Sequence, residues 1–80
     1  DMGRLSGIGI GDRVRLHGPR FAKGYITGTV ADVKDEIFRL TLDDTEAPEA
    51  LVYEALGGVR AVVWGSPHGV DAVERLEVAA

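Results

Sequence analysis

Apolar and polar residues alternate along three stretches in the first half of the chain, and each stretch predicts a β-strand. The first, Asp12–His17, places apolar side chains on one face and basic ones on the other. The second, Tyr25–Val33, contains Gly28, and a Gly inside a strand often marks a bulge or bend that lets a short sheet curl. The third, Ile37–Leu42, follows a polar turn at residues 34–36.

The second half of the chain predicts two further strands. Val59–Trp64 is almost wholly apolar and β-branched, which is typical of a central strand. Gly65–Gly69 is dense in turn-forming residues and predicts a loop. A single 3₁₀ turn around Asp71–Val73 and a short last strand at Arg75–Val78 complete the pattern. The sequence therefore predicts a mainly β domain of five strands.

Residues 43–58 stand between the third and fourth predicted strands as an insertion, and they favour a short helix. Pro48 fits a first helical position, and Glu46 and Glu49 suit a first helical turn. The Gly57-Gly58 pair then ends a helix of about nine residues, from Pro48 to Leu56.

A β-hairpin is the alternative for this insertion. Leu51–Leu56 and Val59–Trp64 flank a two-residue Gly-Gly turn, and such turns commonly connect paired strands. Both interpretations place an unusual segment where a minimal barrel has a tight turn.

Length and composition limit the possibilities further. The chain has 80 residues, enough for one domain, which we expect at residues 12–80 behind a flexible leader at 1–11. It has no Cys, so we expect a reducing cytoplasm and no disulfide. No apolar run approaches the ~20 residues of a membrane-spanning helix. We expect no metal, no cofactor and no enzymatic activity, because no residue cluster has the required spacing.

Charge is unevenly distributed along the chain. The net charge is −4, which argues against tight nonspecific binding to nucleic acid. Residues 1–39 nevertheless hold seven basic and five acidic groups, whereas residues 40–80 hold two basic and eight acidic groups. This asymmetry favours a dipolar molecule with a charged partner or a head-to-tail contact with itself.

Two groups of side chains are candidates for binding. The first comprises the basic face of the first strand and the loop after it, with two aromatic residues: Arg13, Arg15, His17, Arg20, Phe21, Lys23 and Tyr25. These residues could contact a nucleic acid or a peptide; the alternative is a solvated edge strand with Phe21 packed into the end of the barrel. The second group consists of apolar candidates for a subunit or partner interface: Leu51, Val52, Leu56 and Trp64.

The segments Gly11–Leu16, Gly18–Ala22 and Gly28–Val30, together with Val33, resemble the KOW motif of NusG-type elongation factors and some ribosomal proteins. The strand order is similar to that of a five-stranded SH3-like barrel, here with the insertion at 43–58. The resemblance implies contacts to RNA or protein through the following residues: Arg13, Arg15, Arg20, Phe21 and Lys23.

A second, fainter similarity is to plasmid-type dihydrofolate reductases, which are tetrameric SH3-like barrels. Gly11–Arg15 and Ala72–Leu76 carry that likeness, but Ala61–Trp64 stands where the family has its polar catalytic strand. We therefore expect a non-enzymatic interaction module that binds a protein partner or self-associates. A KOW-like nucleic-acid module and a structural subunit of a phage or similar assembly are the alternatives.

Overall fold

The computed structural model describes residues 5–43 and 45–79, and these residues form one antiparallel sheet in the spatial order β6-β5-β4-β3-β2-β1-β7. The seven strands are β1 (Arg13–His17), β2 (Tyr25–Lys34), β3 (Ile37–Leu42), β4 (Glu49–Ala55), β5 (Gly58–Val63), β6 (Ser66–Val70) and β7 (Ala72–Glu77). The sheet curls into a half-barrel around a single core. No helix within the described ranges could span a membrane.

Alternation of side chains builds this core from one face of the sheet. In β1 and β3 every second residue is buried, as the hydrophobic pattern predicted. The largest fully buried side chains come from five strands: Phe38, Leu16, Leu40, Val14, Val30, Val52 and Val63. The opposite face of each strand is left for solvent or for ligands.

The predicted helix at Pro48–Leu56 is wrong, and the hairpin alternative is confirmed. Glu49–Ala55 is strand β4, which pairs with β3 on one side and with β5 on the other. The two-residue turn is Leu56-Gly57, one position earlier than the predicted Gly-Gly turn, and Gly57 has a left-handed φ of +94°. Pairing with β3 and β5 outweighs the local helix signals. This long-range pairing cannot be seen in the local sequence pattern.

A second strand that the sequence did not predict brings the total to seven instead of five. Ser66–Val70 forms β6 after the two-residue turn Trp64-Gly65, whereas Gly65–Gly69 was predicted as a loop. The predicted 3₁₀ turn is absent at 71–73, where Asp71 alone separates β6 from β7. Its N–H donates to the carbonyl of His17 at 2.7 Å. At this one residue the chain passes from one edge of the sheet to the other.

Close backbone approaches explain two glycines. A Cβ on Gly28 would lie 2.5 Å from the carbonyl oxygen of Thr41 in β3, and one on Gly18 would lie 2.5 Å from that of Gly69 in β6. The second approach lies where the two edges of the sheet converge. The irregular register of β2 lies between Val30 and Asp32, shortly after Gly28.

The segment before β1 is part of the folded structure over residues 5–11, instead of the flexible leader that the sequence predicted. Leu5 is buried in the core, and its N–H donates to Glu54 in β4 at 3.1 Å. The carboxylate of buried Asp12 accepts the N–H of Gly9 at 2.9 Å and that of Ala79 at 2.8 Å. Asp12 therefore ties the leader to the C-terminal segment.

Candidate functional site

Four of the predicted binding residues lie together around an open groove of about 270 Å³ on the outer face of the sheet. We call it the basic groove; its main lining residues are Arg13, Arg15, Lys23, Tyr25, Asp43 and Leu76. The strands explain the arrangement, because the outward positions of β1 lie opposite outward positions of β2. The groove thus combines three cations, one carboxylate and one aromatic ring.

Arg13 is held in a fixed position by Asp43. Its two terminal nitrogens donate to the two carboxylate oxygens at 2.8 and 2.5 Å, and the first also donates to Thr29 Oγ1 at 2.9 Å. Asp43 raises the pKa of the Arg13 guanidinium, and Arg13 lowers the pKa of the Asp43 carboxyl. Both groups are charged near neutral pH, so the charge of Arg13 is neutralised within the domain.

Arg15 and Lys23 supply the remaining positive charge of the basic groove. The guanidinium of Arg15 lies 4.3 Å from the centroid of the Tyr25 ring, and its Nε donates to Thr27 Oγ1 at 3.2 Å. Lys23 is exposed and forms no ion pair within the described ranges. This part of the groove is able to accept an anionic group.

The other two polar candidates lie outside the groove. His17 Nε2 is 2.9 Å from Glu74 Oε1 across the β1–β7 pair. Arg20 donates to the carbonyl oxygen of Pro67 at 2.8 Å. Pro67 lies in edge strand β6 and has no N–H, so this position offers no donor to a further strand at the free edge.

Phe21 is buried, with 4% of its surface exposed, and is not an open stacking platform. Its ring stacks on His68 with centroids 5.3 Å apart, and His68 in turn lies 5.7 Å from the ring of Trp64. His68 is itself buried, and its Nδ1 is 2.9 Å from the carbonyl oxygen of Ser66. The sequence analysis did not predict this packing role of His68; Gly65, a residue common in two-residue hairpin turns, was the signal available for strand β6.

A second groove, of about 260 Å³, opens beside this aromatic stack. We call it the Trp64 groove; its main lining residues are Phe21, Lys23, Tyr25, Thr45, Glu46 and Trp64. Trp64 is 52% exposed and has a φ of +56°, a left-handed conformation that is rare for a large side chain. The groove therefore has a half-exposed aromatic wall whose inner edge is held by buried rings.

The predicted interface residues do not share one surface. Val52 is fully buried in the core, so its prediction as an interface residue is wrong, since alternation in β4 turns it inward. Leu51 is 45% exposed in the middle of β4, and Leu56 is fully exposed at the β4–β5 turn. Trp64 lies at the other end of β5 from Leu56. These three residues therefore mark separate positions.

Leu51 belongs to an apolar surface that the sequence analysis missed in part. We define the outer apolar patch by Ile37, Leu51, Tyr53 and Val62, which form the cross-strand pairs Ile37–Tyr53 and Leu51–Val62. Ile37 is 44% exposed, and Tyr53 and Val62 are half-buried. The signal available in the sequence was Ile37, an apolar residue out of phase with the inward residues of β3.

Comparison of the chain with protein-family models, with curated proteins and with solved structures finds no match. Within residues 5–43 and 45–79, no three His, Asp or Glu side chains lie in an arrangement that could hold a metal ion. The physical properties of the grooves and the patch therefore carry the functional argument.

Proposed function

We propose that this domain is a non-enzymatic interaction module, an SH3-like barrel that binds a protein partner through the outer apolar patch. The observation that carries this proposal is the exposure of Ile37 and Leu51, 44% and 45%, on adjacent central strands. Contiguous exposed apolar side chains on a sheet face are typical of protein interaction sites.

Three features support the SH3-like part of the proposal. A seven-residue loop, 18–24, follows the first strand, and Gly28 allows β2 and β3 to approach closely. The last strand pairs with the first, so the sheet wraps back on itself. The two extra strands come from the β4–β5 and β5–β6 hairpins.

The cations paired with patch residues favour a partner with acidic residues, although Asp32 and Asp35 lie at the edge of the same surface. Lys34 pairs with Ile37, Arg39 with Leu51, and Arg60 with Tyr53, so a cation lies beside three of the four patch residues. Arg39 is 3.7 Å from Glu49, a long and exposed contact that leaves its charge largely available. The expected partner surface has an apolar anchor surrounded by carboxylates.

A pair of matched substitutions tests this proposal. Leu51→Ser removes an exposed apolar side chain from the patch, and Leu76→Ser removes one of similar exposure, 40%, from β7. Affinity capture followed by direct binding of each purified candidate partner is expected to show at least about tenfold weaker binding for Leu51→Ser only. Equal binding by both folded variants would contradict the proposal.

The basic groove favours a second candidate function, a KOW-like module that binds RNA. The specific observation is that Arg13, Arg15, Lys23 and Tyr25 line one groove. Filter binding of a single-stranded RNA at low salt tests it, with Arg15→Ala and Arg60→Ala as matched variants. Binding that falls with salt and is weakened only by Arg15→Ala would support it; absence of retention would exclude it.

A further inference from the structure

We propose that copies of this domain associate head to tail, with Leu56 of one copy inserted into the Trp64 groove of the next. The contact uses the two ends of the sheet and leaves the outer apolar patch accessible, so it goes beyond the partner binding proposed above. Three observations carry it: an exposed apolar tip, an aromatic groove, and opposite charge at the two ends.

The tip is the two-residue turn between β4 and β5. Leu56 is fully exposed there. The other residue of the turn is Gly57, which has no side chain to cover the leucine. A Cβ on Gly57 would meet no atom of the described residues within 4 Å, so none of residues 5–43 and 45–79 covers the tip. Among these residues Leu56 has no packing partner.

The Trp64 groove has an aromatic wall that suits an apolar side chain. Trp64 packs against buried His68, which is stacked on Phe21, so these two rings support the inner side of the indole. Tyr25, half-buried, is also part of the groove lining. Trp64 holds this position at a φ of +56°, a left-handed conformation that is rare for a large side chain.

The tip and the groove cannot meet within one domain. They lie at opposite ends of β5, whose six residues span about 20 Å. A leucine from another copy is therefore the occupant that the geometry allows, and the contact is heterologous: each copy offers one tip and one groove.

The charges of the two ends are complementary. The described charged residues near the tip are Asp35, Glu36, Glu54, Asp71, Lys34 and Arg60, with a formal charge of −2. The described charged residues at the Trp64 groove are Lys23 and Glu46 in its lining and Arg20 in the adjoining loop 18–24, with a formal charge of +1. Alignment of copies in one direction brings opposite charges together, whereas tip-to-tip and groove-to-groove contacts bring like charges together.

Sedimentation velocity over a range of concentrations tests the proposal, with three variants beside the wild type. We expect Leu56→Ser and Trp64→Asn each to weaken self-association at least about tenfold. Asn tolerates the left-handed turn position, so the second variant keeps the hairpin. Leu51→Ser serves as the control and is expected to associate like the wild type. The single Trp of the chain adds an optical signal, since its fluorescence should change on dilution.

A mixing experiment identifies the direction of assembly. Leu56→Ser retains a groove and Trp64→Asn retains a tip, so an equimolar mixture is expected to form dimers and no larger species. A wild type that stays monomeric throughout, or loss of association in Leu51→Ser alone, would overturn the proposal. A wild type that stays monomeric leaves partner binding at the outer apolar patch untouched, because that binding is measured separately with the purified partner.

Discussion

The carboxylate of Asp12 accepts the backbone N–H of Ala79 at 2.8 Å, across 67 positions of sequence. The same carboxylate accepts the N–H of Gly9 and lies 3.8 Å from Arg75, so it joins the leader, β1 and the C-terminal segment. The hydrogen bonds from Ala79 and Gly9 hold the pKa of Asp12 below 3.8, although burial acts in the opposite direction.

Acid is expected to weaken this junction. Because the folded pKa of Asp12 is lowered, its contribution to stability is complete above pH 3.8 and is lost as the pH falls from 3.8 through the folded pKa. Thermal melting between pH 7 and pH 2 should show a shallower acid decline for Asp12→Asn than for the wild type. Asp35→Asn, which changes an exposed turn carboxyl, is the control; an identical decline for Asp12→Asn and the wild type would refute the assignment.

Gly28→Ala is expected to destabilise the fold by about 2 kcal/mol or more. The new methyl group would lie 2.5 Å from the Thr41 carbonyl oxygen, and that contact is with backbone in a paired strand. Gly9→Ala is the matched control, because its Cβ would meet only Asp12 Oδ2 at an ordinary 3.8 Å. Urea denaturation measures both, and similar midpoints would show that β2 and β3 can separate at little cost.

The ion pair between Arg13 and Asp43 is expected to contribute modestly. Both side chains are about one third exposed, so solvent screening reduces their interaction to about 0.5–1 kcal/mol. A double-mutant cycle with Arg13→Ala and Asp43→Ala measures this coupling in the free energy of unfolding, and added salt should reduce it. Zero coupling at low salt would mean that the two hydrogen bonds from Arg13 to Asp43 do not stabilise the fold.

Substitutions at Trp64 should separate backbone strain from ring packing. Trp64→Asn loses the contact with His68 but relieves the left-handed strain, so we expect the free energy of unfolding to change by less than about 1 kcal/mol. Trp64→Val loses the contact and adds β-branching at positive φ, so we expect a loss of about 2 kcal/mol. Equal effects in denaturant titrations would argue against strain at this turn.

Alternation was a reliable guide where a strand has one buried face. It predicted β1 through β3, and it correctly turned Arg13 and Arg15 outward. The helix prediction at 48–56 failed because Pro48 and its neighbouring acids are compatible with the start of a helix or of a strand. Only the neighbouring strands β3 and β5 decide between the two.

The candidate site was predictable only as separate pieces. The sequence indicated that Arg13 and Arg15 share a face, but not that Asp43, 30 residues away from Arg13, neutralises it. Phe21 was compatible both with a platform and with packing at the end of the barrel until the position of His68 was known. Pairing across long sequence distances leaves no local periodicity to detect.

The pairing of the first strand, β1, with the last, β7, has a kinetic consequence. Five of the six strand pairs join neighbours along the chain, whereas β1 and β7 must meet from opposite ends of it. Loop-closure entropy opposes that last pairing, so we expect the local hairpins to form early and the β1–β7 seam to form late. Substitutions in the seam should then mainly accelerate unfolding, whereas those in the β3–β4–β5 meander should slow refolding.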